Sequence, residues 1–127
     1  MQNVKIIECP RDAMQGIKDW IPTANKVQYI QSLLRCGFDT IDFGSFVSPK
    51  AIPQMTDTAE VLSQLDLSKT KSKLLAIVAN VRGAEAALMH PEIQYLGYPF
   101  SISENFQMRN THKTIAQSIE VLQEILE

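Results

Sequence analysis

The sequence predicts an α/β protein in which parallel strands form one sheet covered by helices, arranged as part of an eight-stranded βα barrel. Three observations carry this. Short runs rich in β-branched and aliphatic residues alternate along the chain with segments of helical period. Each pair of successive strands is separated by a segment long enough for a helical crossover, as parallel pairing requires. The polar residues that fit neither pattern collect just after the strands, at the end where parallel α/β folds place their chemistry.

The first strand is "VKIIEC", Val4 to Cys9, stopped by Pro10. A polar loop carrying Arg11 and Asp12 is expected to follow. In "PTANKVQYIQSLLRCG" the period changes: Val27, Ile30, Leu33 and Leu34 recur at helical spacing, Thr23 is placed to cap the start and Gly37 to close the end. "FDTIDFGSF" is the second strand, "SPKAIPQM" a loop, and "TDTAEVLSQL" a helix with Thr56 or Asp57 near its cap. "KLLAIVAN" is the most continuously apolar strand. "VRGAEAALMH" is a short helix that tolerates Gly83 near its start and ends before Pro91. "EIQYLGYPFS" is a fourth strand, "SENFQMRN" a polar loop. "THKTIAQSIEVLQEILE" is a last helix with Ile115, Ile119, Leu122 and Leu126 on one stripe.

Four βα units are half of a ring, since a complete barrel takes about 250 residues, about twice the number present. The expectation is therefore one domain, residues 1–127, forming the N-terminal half of a TIM-barrel domain; an open α/β sandwich is the alternative topology. The outer edges of the first and fourth strands would then be unpaired. They call for self-association or for the missing C-terminal half-barrel.

The composition is that of an ordinary soluble protein, with 45% apolar and 20% charged residues. A net charge of -2 provides no broad basic surface for nucleic acid or anionic membrane. No run approaches the 18 or so apolar residues of a membrane span, and no charged segment leads into an apolar signal region, so a cytoplasmic location is expected. Cys9 and Cys36 belong to no CxxC pair and are expected as two buried thiols. Dinucleotide, P-loop and nucleophile-elbow motifs are all missing. His90 is expected at a helix end and His112 in the first turn of the last helix. Neither joins a cluster with metal-ligand spacing.

The residues at the strand ends admit both a chemical and a plain reading. Asp12 is a hard oxygen donor suited to Mg²⁺ or Mn²⁺, and the rigid fork of Arg11 suits developing negative charge; adjacent loop charges are the plain alternative. Asp42 can ligate, or hold Arg11 through a bidentate bond. Gln15 can orient Asp12 or lie on the surface. Ser45, Ser48 and Lys50 follow the second strand, where Lys50 meets an anionic substrate or is simply solvated. Asn80 reaches the rim or satisfies a helix start, and Glu104 pairs with a helix start or a local cation. Met14, Met55 and Met108 line an apolar mouth or fill the core.

Together, "VKIIECPRDAMQ", "IDFGSFVSPKAIPQM" and "SENFQMRN" resemble the N-terminal portion of the 3-hydroxy-3-methylglutaryl-CoA lyases, within the metal-dependent TIM-barrel lyases and Claisen-type synthases. The resemblance runs from about Val4 to the end of the chain. It implies cleavage of an acyl-CoA, 3-hydroxy-3-methylglutaryl-CoA, to acetyl-CoA and acetoacetate with Mg²⁺ or Mn²⁺. By the same resemblance Asp12 is a metal ligand and Arg11 stabilises enolate charge. Asp42, in the place of a family glutamate that supports the arginine, and Gln15, matching a first-loop glutamine, are implied as catalytic with Arg11, and Ser45, Ser48 and Asn80 contact substrate. The family's His-x-His pair, later asparagine and glycine-rich cysteine loop belong to the second half of the barrel and do not occur in this sequence, so this chain alone is expected to be inactive and to bind metal weakly.

The chain departs from the family pattern in its first loop and its second strand. Cys9 precedes Pro10 where a glycine is usual, in a loop one residue shorter, Ala13 follows Asp12 where a glycine is usual, Asp42 replaces a glutamate, and Phe43 and Gly44 replace small polar residues. A related Claisen-type condensing enzyme and a non-catalytic half-barrel assembly module are the alternative functions.

Overall fold

The computed structural model describes residues 3–127. Four parallel strands form one sheet in sequence order: β1 (Ile7–Glu8), β2 (Thr40–Ser45), β3 (Lys73–Ile77) and β4 (Ile93–Gly97). Helices α1 (Pro10–Gln15) and α2 (Thr23–Leu34) join the first two strands. A 3-10 turn (Pro53–Met55) and α3 (Thr58–Ser63) lead to β3, α4 (Val81–Leu88) leads to β4, and α5 (Glu104–Thr111) and α6 (Ile115–Leu126) follow it. Alternating parallel strands and helices in this order form four βα units of a partial TIM-barrel-like fold, as the sequence predicts.

Strand alternation divides the sheet into two faces. Leu74 and Ala76 pack with Ile41 and Phe43 against Ile30 and Leu34 of α2 and Val61 and Leu62 of α3. Val78 continues the same face under Ala84 and Ala87 of α4, with Ile125 of α6 against that cluster. Lys73, Leu75 and Ile77 point the other way and are only partly buried. Gly97 lies on that second face, where the position of a Cβ would be 2.6 Å from Ile77 Cδ1 and 3.1 Å from Leu75 Cδ2.

Several expectations are corrected. The segment after β1 is a helix, not a loop, because Pro10 stands at its first turn, where a proline's missing N–H costs nothing and its fixed φ fits. β1 itself pairs over only two residues of the run from Val4 to Cys9. "SENFQMRN" is also helical. Ser103 caps it by accepting from Phe106 N–H at 3.4 Å, Glu104 and Arg109 complement the dipole at its two ends, and His112 closes it at φ 56° rather than opening α6.

Thr23 does not cap α2; it donates to Asp57 at 2.8 Å, and Asp57 stands at the start of α3 as expected, its side chain turned to Thr23 rather than to the helix. In α6 the stripe is rotated from the expected one. Ser118 is buried, Ile115, Val121, Leu122 and Ile125 are partly covered, and Ile119 and Leu126 are exposed. Cys9 and Cys36 are free but exposed, not buried, since one ends an edge strand and the other lies beyond the end of α2.

Two glycines have local causes. Gly37 turns the chain out of α2 at φ 81°. Gly83 lies where a Cβ would come 2.7 Å from the Phe46 carbonyl oxygen, so the loop after β2 can cross the first turn of α4.

Candidate active site

Just past the C-terminal end of β1, against the middle of β2, four of the expected residues form one network. Pro10 starts α1 as soon as β1 ends, so Arg11 projects from the first turn of that helix toward the neighbouring strand. There Asp42 receives it: Arg11 Nε lies 3.2 Å from both Asp42 oxygens, and Nη2 lies 2.5 Å from Oδ2. The other arm, Nη1, donates to Asp12 Oδ1 at 3.0 Å and to Gln15 Oε1 at 3.1 Å. Gln15 Nε2 closes the ring by donating to the same Asp12 oxygen at 3.1 Å. One turn of α1 thus places residues 12 and 15 on one side of the guanidinium, with the strand carboxylate on the other.

Burial grades across this network. The Asp42 side chain is 6% exposed, that of Arg11 15% and that of Asp12 67%. Burial pushes the Asp42 carboxyl above its ordinary pKa, further than the hydrogen bonds and charge of Arg11 pull it down. For Arg11 burial works against the cation, but Asp42 outweighs it and the guanidinium is held above its usual value. Partial desolvation of the otherwise exposed Cys9, followed by the charge of Asp42, also raises its thiol, which Arg11 opposes.

The other expected site residues are not drawn into this network. Buried Ser45 accepts from Val47 N–H at 3.2 Å and donates to the Ile77 carbonyl at 3.4 Å. Exposed Ser48 accepts from Lys50 N–H at 3.3 Å, and Lys50 is exposed. Asn80 caps α4 by accepting from Gly83 N–H at 2.8 Å. Glu104 accepts from Ile115 N–H at 3.1 Å, at the start of α6. Met14 and Met55 are in the core, whereas Met108 is exposed.

A second polar cluster backs the rim. Lys26, 2% exposed, donates to Asp57 at 2.7 Å and to the Gln54 carbonyl at 2.5 Å, and its Nζ stands 3.8 Å from the centroid of the Trp20 ring. The Gln54 side chain is bonded three times to the segment joining α1 to α2. Sequence reading missed these residues. The available signal was the i, i+4 row Lys26, Ile30, Leu34, which puts the lysine on the buried face of α2.

Among the described residues no group of three His, Cys, Asp or Glu side chains could hold a metal ion. Asp12 offers one hard oxygen donor, since both of its bonds fall on Oδ1. A single carboxylate does not fit a complete Mg²⁺ or Mn²⁺ centre. No helix among the described residues is long and apolar enough to cross a membrane.

A parallel βα sheet with a charged, hydrogen-bonded rim at its C-terminal end defines the chain as part of a TIM-barrel-type α/β protein. The comparisons narrow the class. No family model matches the chain. Over 127 residues it is 35% identical to the 3-hydroxy-3-isohexenylglutaryl-CoA/hydroxy-methylglutaryl-CoA lyase of Pseudomonas aeruginosa, covering 99% of this chain and 42% of that protein. It is 34% identical to the hydroxymethylglutaryl-CoA lyase YngG of Bacillus subtilis, covering 91% and 38%.

Among solved structures, the lyase from Bacillus subtilis superposes with a TM-score of 0.89 at 35% identity, over 97% of this chain and 41% of the other. The lyase from Acinetobacter baumannii, in complex with coenzyme A and 3-methylmalate, gives 0.88 at 34% identity, over 96% and 40%. The chain is homologous to the hydroxymethylglutaryl-CoA lyases along nearly its whole length. It spans about two fifths of the length of those relatives.

Proposed function

We propose that this chain is the N-terminal half-barrel of a divalent-metal-dependent carbon–carbon lyase acting on a 3-hydroxy-3-methylglutaryl-CoA-type thioester. The observation that carries the proposal is the pairing of Arg11 with Asp42 across β1 and β2, with Asp12 and Gln15 closing the ring, in a chain homologous to lyases.

In the proposed reaction a base takes the proton of the substrate's tertiary hydroxyl and the adjacent C–C bond breaks. The electron pair moves into the thioester, giving an enolate that is later protonated to acetyl-CoA; the other product is acetoacetate. Arg11 serves the enolate oxygen. Its bonds to Asp42, Asp12 and Gln15 engage Nε–H, one Nη2 hydrogen and both Nη1 hydrogens, so one Nη2 hydrogen of its five remains for that oxygen. Asp42 fixes the plane of the guanidinium so that no reorganisation is needed when charge develops. Asp12 contributes one oxygen toward the Mg²⁺ or Mn²⁺ of the parent enzyme, and the remaining ligands lie outside these residues. Ser45, Ser48 and Asn80 belong to the same proposal as substrate contacts from the second and third loops.

The open edges of β1 and β4 make the complementary half of the barrel the proposed partner, ahead of a second copy, because the solved relatives are more than twice as long. Residence in the cytoplasm is proposed as well: a lyase of Danio rerio bears that compartment in its name, those of Gallus gallus and Bos taurus bear mitochondrial.

The test is a cleavage assay with 3-hydroxy-3-methylglutaryl-CoA and Mn²⁺. The chain alone is expected to release no acetoacetate, and addition of the complementary half-barrel is expected to produce turnover that a chelator stops. Chelator-sensitive turnover by the chain alone would overturn the need for the second half, and a silent, folded, reconstituted barrel would overturn the lyase reading.

A further inference from the structure

Arg11 is held by strand β2 on one side, but its own helix is only six residues long, too short to keep a fixed direction unaided. α1 starts at the end of β1; what fixes its far end is Gln54. This side chain is 4% exposed and comes from the 3-10 turn after β2. Gln54 Oε1 accepts from Ile21 N–H at 3.0 Å, and Nε2 donates to the carbonyls of Ile17 and Asp19, each at 2.9 Å. One amide thereby satisfies three backbone groups of the segment 16–22, the first of them, on Ile17, two residues after Gln15.

The Gln54 backbone is used as well. Its carbonyl accepts from buried Lys26, whose ammonium is paired with Asp57 and covered by Trp20 from the same segment. Asp57 accepts from Thr23 at the start of α2. Every bond in the cluster joins the segment following α1, or α2 itself, to the segment following β2. Met14 of α1 and Met55 beside Gln54 are both in the core below.

We infer that Gln54 is a positioning residue of the rim, with Lys26 holding its backbone: it locks the first βα segment onto the second and so fixes the direction of α1 and the aim of Arg11. The first segment is a preset wall rather than a lid. Release of Gln54 leaves two carbonyls and one N–H without partners, and they regain hydrogen bonds only by turning to water, which lifts segment 16–22 and the end of α1 with it. The inference rests on the proposed reading only in taking Arg11 as the group that needs aiming, and its test reads no turnover.

The experiment follows the Arg11 Nε–H signal by ¹⁵N NMR in Gln54→Met, which keeps length and apolar volume but makes none of the three bonds. Quenching of Trp20, the only tryptophan, reports docking of the segment. Solvent exchange of Arg11 Nε–H is expected to rise about tenfold or more, with greater quenching of Trp20. In Ala87→Gly, a core variant on the buried face of α4 tested for comparable loss of stability, both are expected to stay as in the parent chain. An unchanged Arg11 signal in folded Gln54→Met, or an equal change in Ala87→Gly, overturns the inference. The unmodified chain supplies a second test should Gln54→Met not fold. Under increasing urea the Ile21 N–H and Arg11 Nε–H are expected to exchange through one common opening, with the same urea dependence; independent openings overturn the inference.

Discussion

Arg11 and Asp42, 31 residues apart in sequence, meet as a bidentate pair at the junction of β1 and β2, with the guanidinium against both carboxylate oxygens. The contact is between the first turn of α1 and the middle of β2, which parallel pairing of β1 with β2 brings together. It joins the fold and the proposed chemistry in a single interaction.

Removing one partner of this pair leaves the other poorly solvated. Arg11→Met is predicted to cost about 2 to 4 kcal/mol of unfolding free energy, somewhat less than for a fully enclosed pair because the guanidinium keeps some contact with water. Urea denaturation of the two proteins measures it. A loss below about 0.5 kcal/mol would mean that the pair is solvated like an ordinary surface bridge.

The same pair sets a pH dependence. The Asp42 carboxyl binds its proton more readily when folded than at its ordinary 3.8, so its contribution to stability falls as pH rises through the window above 3.8 and returns on acidification. Asp42→Asn does not titrate. The stability difference, parent chain minus Asp42→Asn, is therefore predicted to shrink as pH rises from about 4 toward 7. A difference that grows over that range would show Arg11 prevailing over burial.

Cys9 reports on the pair from beside it. Its thiol is raised above the ordinary 9.0 by partial desolvation and then by Asp42, with Arg11 acting against both. Alkylation of Cys9 by iodoacetamide is predicted to reach half its limiting rate above pH 9.0, with the midpoint lower in Asp42→Asn and higher in Arg11→Met. Mass spectrometry of the Cys9 peptide across a pH series gives the midpoints; a shift in the opposite sense in either variant contradicts the assigned electrostatics.

Lys26 and Asp57 are the more deeply enclosed ions, 2% and 7% exposed at the side chain. Asp57→Asn strands the ammonium and is predicted to destabilise by about 3 kcal/mol or more, whereas Lys26→Met with Asp57→Asn together is predicted to cost less than the two single losses added. Additive losses in that double-mutant cycle would contradict a coupled pair.

Gly83 illustrates a constraint that helix propensity hides. Alanine is ordinarily the better helix former by about 1 kcal/mol. Its Cβ at this site would lie 2.7 Å from the Phe46 carbonyl oxygen, so Gly83→Ala is predicted to destabilise, by about 1 to 3 kcal/mol. Thermal unfolding decides the sign.

The alternation of strands and helices was legible because each strand is an apolar run and each crossover has a helical period. The company of Arg11, Asp12, Gln15 and Asp42 was legible because three of them follow the first strand directly and the fourth lies on the neighbouring parallel strand, although it stands inside β2 rather than at its end. α1 was not legible, because proline reads equally as a strand stop and as a helix start. α5 was hidden by its polarity, since it is held by its cap and by Gln107, which bonds to Ser101, Thr111 and Ser118, rather than by an apolar stripe. The exposure of Cys9 and Cys36 and the rotated stripe of α6 depend on how much neighbouring structure covers each edge, which periodicity does not encode. Lys26 and Gln54 were missed because their value lies in contacts between two segments distant in sequence.

The most direct measurement replaces the matching stretch of the Bacillus subtilis lyase, which this chain superposes at a TM-score of 0.89, with residues 3–127. The chimera is then assayed for Mn²⁺-dependent cleavage of 3-hydroxy-3-methylglutaryl-CoA. A folded chimera that turns over, and that loses at least about a hundredfold in kcat on Arg11→Met with little change in KM, is the predicted result. A folded chimera without turnover, or one in which Arg11→Met keeps its rate, would contradict the account.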